Sequence, residues 1–210
     1  MKNQLLVIIF LIISSVSYGQ YILKPEDVTF NNGVLEKYLN TTEDDIIIPD
    51  NFGGVNVTSI GNRAFYGKQV TKVVVPNTVT VIGERAFQSS KLTDITLSEG
   101  LSTISLAAFH SSKLTSIIIP NSVTTIGVYA FYRNELESVT LPSSLTTIKE
   151  GSFQQNKISS IEIPNLVTII EKEAFNFNQL SNVVFHNSID SIGAFAFAFN
   201  KLTSISIPNN

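Results

Sequence analysis

Leu114-Thr115-Ser116-Ile117-Ile118-Ile119-Pro120, followed by Asn121-Ser122-Val123-Thr124-Thr125-Ile126-Gly127 and Val128-Tyr129-Ala130-Phe131-Tyr132-Arg133-Asn134, is the stretch on which the fold turns. Leu114, Ile117 and Ile119 stand at the first, fourth and sixth places of its opening segment. The alternation at the last two is that of a strand with one face turned inward. Pro120 donates no ladder hydrogen bond and ends that strand. Val123 to Gly127 offers a second short extended piece. Ala130 and Phe131 then fill the turn back.

The same pattern returns up and down the chain. Phe stands at 65, 87, 109, 131, 153, 175 and 197, always 22 residues apart, and the residue before it is Ala except for Ser152. Ile keeps the same step at 60, 82, 104, 126, 148, 170 and 192. Pro recurs at 76, 120, 142, 164 and 208, with Ser98 and His186 in the two gaps. A fixed period of this size means stacked structural units, none of which buries its apolar face alone. The expectation is a repeat solenoid of 22-residue coils, a right-handed superhelix that is β-rich with little helix. Asn134, Asn156, Asn178 and Asn200 form a polar column before each strand, with Ser90 and Ser112 in the same place. Such side chains satisfy turn backbone groups, and a ladder does not converge on a ligand.

The ends depart from the repeat. Val28-Thr29-Phe30 and Val34 to Tyr38 flank Asn32-Gly33, a hairpin signal. Residues 20–48 are therefore expected to be an N-terminal hairpin cap and residues 49–210 the solenoid, with Gly53-Gly54 in an enlarged first turn. Glu43-Asp44-Asp45 lacks the spaced ligands of a calcium loop. At the other end, Leu202 to Ile207 reads as a bare edge strand beside Phe195, Phe197 and Phe199, open to pairing with another copy. No capping segment is seen after it, so a truncation at Asn210 is one reading of this end.

Residues 1–19 read as a cleaved signal peptide. Lys2 is the positive start, Leu5 to Ile13 the apolar run, and Ser17 and Gly19 the small residues before the cut. The run is short for a bilayer span, so no transmembrane anchor is expected. The chain has no cysteine, which excludes disulfides, thiol catalysis and a lipidated cysteine. Its net charge of -3, with no basic run, lacks the footprint of a nucleic-acid binder.

The unit L-T-S-I-x-I-P-x-S-V-T-T-I-G-x-x-A-F-x-x-N closely resembles the BspA-type leucine-rich repeats of bacterial surface proteins, whose strand part is L-x-x-L-x-L. Ile46 to Pro49 and Val57 to Gly61 look like that group's lead-in. The resemblance implies an exported adhesion or protein-binding role, secreted or at the cell surface, and brings no catalytic residue with it. Where that group often carries Cys in the Asn column, this chain does not. Ser122, Ser144 and Leu166 also replace the Asn or Cys expected after the strand.

Neither His110 nor His186 has a recurring carboxylate beside it, and Glu162 stands alone, so no triad, metal site or cofactor site is read and no enzyme is expected. What remains is surface. The residues between the inward ones form outward columns, and Val74, Asp94, Thr96, Ser116, Ile118, Ser138, Thr140, Glu162 and Val184 are the candidate binding face. They are small and weakly charged, which suits broad contact with a protein or matrix-type partner. They are equally good strand formers kept soluble. Alternatives are a self-assembling structural surface protein, or a sugar-polymer or ice-binding surface built on Thr124-Thr125 and Thr146-Thr147. Adjacent residues of an extended segment face opposite ways, which weakens the last.

Overall fold

The structure is a computed structural model that describes residues 19–186 and 189–208. Residues 1–18 of the proposed leader and the terminal pair Asn209-Asn210 lie outside the described residues. The chain opens with Tyr21–Ile22 (β1), a 3-10 turn at Pro25–Asp27, Val28–Asn31 (β2), Val34–Tyr38 (β3), Asp45–Ile47 (β4), Asn51–Phe52 (β5), Val55–Asn56 (β6) and Ser59–Ile60 (β7). From there longer and shorter strands alternate: Lys72–Val74 (β8), Val81–Ile82 (β9), Asp94–Thr96 (β10), Thr103–Ile104 (β11), Ser116–Ile118 (β12), Thr125–Ile126 (β13), Ser138–Thr140 (β14), Thr147–Ile148 (β15), Ser160–Ile163 (β16), Ile169–Ile170 (β17), Asn182–Phe185 (β18) and Ser191–Ile192 (β19).

The longer strands stack in parallel on one side and the shorter ones on another. The long side runs β1-β4-β8-β10, then β12-β14, then β16-β18. The short side runs β2-β3-β7-β9-β11-β13, then β15-β17-β19. Register follows the sequence period, with Ile95 against Val73, Ile117 against Val139 and Ile104 against Ile126. This is the expected β solenoid of 22-residue coils.

Phe65, Phe87, Phe109, Phe131, Phe153 and Phe175 are fully buried. From Phe65 to Phe197 neighbouring rings lie 4.8 to 5.5 Å apart and within 9° of parallel. The row of rings is the spine of the core. Inward strand residues such as Leu114, Ile117 and Ile119 close around it.

The corner that carries the Phe accounts for its backbone hydrogen bonds in a repeating way. Arg63, Phe65 and Gly67 donate their N–H groups to Glu84, Ala86 and Gln88 of the next coil. Between them, Ala64, Tyr66 and Lys68 close tight turns onto Gly61, Arg63 and Phe65. That alternation needs two left-handed residues per coil. They are Arg63, Arg85, Ala107, Tyr129, Gly151, Glu173 and Phe195 in one column, and Gly67, Ser89, Ser111, Arg133, Gln155, Phe177 and Phe199 in the other, all with φ between 52° and 67°. For non-glycine residues this costs on the order of 1 kcal/mol each, offset by the N–H donors the corner aligns. The recurrent glycines are elsewhere. At Gly127 a Cβ would lie 2.5 Å from the Ser105 carbonyl carbon of the coil below, so the glycine permits close stacking.

The hairpin forms as the sequence suggests. β2 pairs antiparallel with β3 around Asn32 and Gly33, both at positive φ. β3 in turn pairs in parallel with β7, which places the hairpin beneath the first repeat. Tyr38 stacks on Phe65 at 5.1 Å and extends the row of rings. Its hydroxyl donates to the Glu43 carbonyl oxygen. Burial, with the charges of Asp27 and Glu43, pushes that phenol up to about 12. Asp27 is buried under the hairpin. Burial opposes its charge, but the Lys24 N–H and the Asn40 amide hold its carboxyl below the usual carboxylate value. β1 is a feature not read from the sequence: it pairs with β4 and extends the long side by one rung. Gly53 and Gly54 turn the small β5–β6 hairpin.

The other end corrects an expectation. Leu202 to Ile207 is not a strand. β18 is the last strand of the long side, and Ile205 and Ile207 are exposed. Leu202 still packs against the core.

Candidate functional site

The long strands carry the candidate face. Register sets Asp94 beside Lys72, Thr96 beside Val74, Ser116 beside Ser138, Ile118 beside Thr140, and Glu162 beside Val184. Val74 is half-buried, and the other eight candidate residues are exposed. Inward neighbours on the same strands, Ile95, Ile117 and Ile161, are buried. Period-two alternation thus puts all nine on one side of the body. Ile118 is 75% exposed, an unusual state for a large aliphatic chain, and stands between Thr96 and Thr140 in its own column.

The face is not one continuous sheet, which the sequence did not indicate. β10 does not pair with β12, nor β14 with β16. At each seam the surface sinks. The first hollow, about 310 Å³, lies among Asp94, Thr96, Glu99, Ser116, Ile118 and Pro120. The second, about 360 Å³, lies among Asn121, Thr140, Ser143, Glu162, Asn165 and His186. Ile118 and Thr140 form the ridge between them.

The second hollow holds a further correction. His186 is not without a carboxylate: its Nε2 is hydrogen-bonded to Glu162 Oε1. The two are 24 residues apart, one coil and two places, so the contact is diagonal and escapes a count in steps of 22. The pair is exposed, and the site has no third ligand. Among the described residues no group of three or more His, Asp or Glu could hold a metal ion.

The other histidine belongs to the corner. His110 tilts against Tyr132 at 4.8 Å, and its Nδ1 is buried without a hydrogen-bond partner. Burial lowers its imidazole below the ordinary value. Its own backbone works the other way, and Arg133 and Arg85 reinforce burial. The Asn column is structural, as its regularity suggested. Asn156 Nδ2 donates to the carbonyls of Phe131 and Phe153, while its Oδ1 accepts from the Leu136 N–H. Asn134, Asn178 and Asn200 repeat this. Ser112 does part of it, donating to the Phe87 carbonyl.

Parallel coils, a strand per coil in the L-x-x-L-x-L pattern and an inward asparagine ladder define a leucine-rich-repeat solenoid. The chain belongs to the BspA type leucine rich repeat region family, whose pattern matches it in six copies over residues 58–176 and 102–210. Among solved structures it is similar to a leucine-rich repeat protein from Bacteroides ovatus, with 30% identity and a TM-score of 0.61, over 89% of this chain and 56% of that one. It is also similar to the pneumococcal vaccine antigen PcpA, with 25% identity and a TM-score of 0.59, over 93% of this chain and 52% of that one. The chain thus spans little more than half the length of these two relatives. A comparison with curated proteins finds no match.

Proposed function

We propose that this protein is an exported, non-enzymatic binding module that contacts another protein, such as a matrix component at a cell surface, through the outward face of its long strands. The observation that carries this reading is Ile118, exposed on a ridge between two hollows in a face whose other side chains are mostly small and polar. An exposed aliphatic group rimmed by polar ones is the pattern of a contact surface. Export rests on the residues of the proposed leader. No helix among the described residues is long and apolar enough to cross a membrane.

Capture by immobilised extracellular-matrix proteins, comparing wild type with Thr96→Lys, Ile118→Lys and Thr140→Lys combined, tests the face. The substitutions are exposed and should leave the circular dichroism spectrum unchanged. Capture should fall at least tenfold, since an apolar anchor and its surroundings are replaced by charge. Undiminished capture would remove this face from the proposal.

A second reading, a self-assembling structural element, is favoured by the exposed Phe195, Phe199, Ile205 and Ile207 at the last coil. Size-exclusion chromatography over a wide concentration range decides it, a monomer throughout counting against it.

A further inference from the structure

We propose that the strand face takes a basic, extended segment of a partner protein, which lays aliphatic surface on Ile118 and seats a lysine or arginine at Asp94 and Glu99. This deepens the binding reading above and rests on it.

The apolar element comes first. The column of Ile118 holds Val74, Thr96, Thr140, Glu162 and Val184 in neighbouring coils. The coil therefore closes with a small, a branched or even a charged residue here, and nothing in the packing asks for isoleucine. Its exposed side chain is available for contact, with a hollow on either side to receive what flanks that contact.

Charge names the occupant. The first hollow is lined by Asp94 and Glu99, and the second by Glu162, whose neighbour His186 is already hydrogen-bonded to it. No lysine or arginine lines either hollow. Lys72 is in register with Asp94, but it stands on β8, on the side of β10 away from the seam. An acidic segment would meet carboxylates at both hollows, so it is disfavoured by like charge. A long basic side chain fits both features, because its methylene stem packs on apolar surface while its head stays polar. The seam adds room, since the ladder is open between β10 and β12 at the very strands that carry Asp94 and Ile118. Exposed carboxylates contribute mainly to encounter rate and salt dependence, and Ile118 to residence.

Fluorescein-labelled decapeptides provide the test, read by anisotropy on the whole chain at low and physiological salt. One repeats Lys-Ser-Leu-Ser, which sets Lys and Leu on one face of an extended chain; a second has Glu in place of Lys, and a third has Ser in place of Leu. The Lys–Leu peptide should bind about tenfold or more tighter than either of the others, and more weakly at higher salt. Asp94→Asn with Glu99→Gln should weaken it about tenfold, and Ile118→Asp should remove the advantage of Leu over Ser. Lys157→Gln, on the corner before the strand, should change nothing. Equal binding of the Glu–Leu peptide, no binding of the Lys–Leu peptide, or indifference to the carboxylate changes would overturn the basic partner. If Ile118→Asp then still weakened every peptide alike, the strand-face reading would stand without it.

Discussion

His110 shows how a repeat accommodates an irregular residue. Its column also holds Tyr66, Gln88, Tyr132, Gln154, Asn176 and Ala198, so the corner does not ask for a proton. Burial disfavours the imidazolium, and the folded value lies below the ordinary 6.5. The unfolded chain therefore takes up a proton more readily than the folded one as pH falls through that value. Through its titration this residue costs nothing above neutrality and destabilises the fold progressively on acidification. His110→Gln should lose less stability than wild type between pH 7.5 and 5.5, read as urea midpoints. Parallel declines in the two proteins would show that the ring is not held in its neutral form.

At the scale of the element, the asparagine ladder ties each corner to the coil before it. Asn156 bonds the buried backbone of Phe153 on its own corner and of Phe131 and Leu136 on the corner before. Asn156→Ala leaves the Leu136 N–H without a partner and the Phe131 and Phe153 carbonyls with one donor fewer each, and should cost about 1–3 kcal/mol, with the denaturant slope unchanged. Asn156→Ser should recover part of the loss, because Ser112 meets one such carbonyl in the same column. Equal losses for Ala and Ser would mean that volume, not hydrogen bonding, sets the position. The strands themselves were the most legible elements. Leu114, Ile117 and Ile119 fix both the extended state and the buried side, and Pro120 fixes the end. Less legible was whether neighbouring strands would pair. Ser116 stands against Ser138 in a ladder but not against Asp94, although all three occupy one column. No residue type in the column announces that difference. The Glu162–His186 contact was hidden for a related reason, since it runs across the period instead of along it. The last segment misled because Leu202, Ile205 and Ile207 carry the strand pattern, yet no ladder forms between them and β18.

The whole molecule behaves as a line of neighbours, each coil stabilised by the one on either side. The cost of a core change should then depend on its place along that line. Phe131 lies between two rings, at 5.1 and 5.3 Å, and Phe131→Ala should cost about 3–5 kcal/mol. Phe197 has a described ring on one side of the row only and is half-buried. Phe197→Ala should cost less than half as much, and the difference in urea midpoints between the two variants measures the gradient. Equal losses would argue for a single cooperative core. The architecture was legible from the period alone, because the same residue returning every 22 places can only mean a shared environment. The left-handed corners stayed invisible, since Arg63, Tyr129, Glu173 and Phe195 bear no turn signature.

Those corners change what variation means in this fold. Their bend is secured by backbone donors handed to the following coil, and the second left-handed column keeps its side chains at the surface: glycine, serine, arginine, glutamine and phenylalanine all occupy it. A lineage could rewrite one outward letter in every coil without disturbing the spool on which it is wound, and Phe177 resting face to face on Phe199, both exposed, marks one place where that freedom has been used.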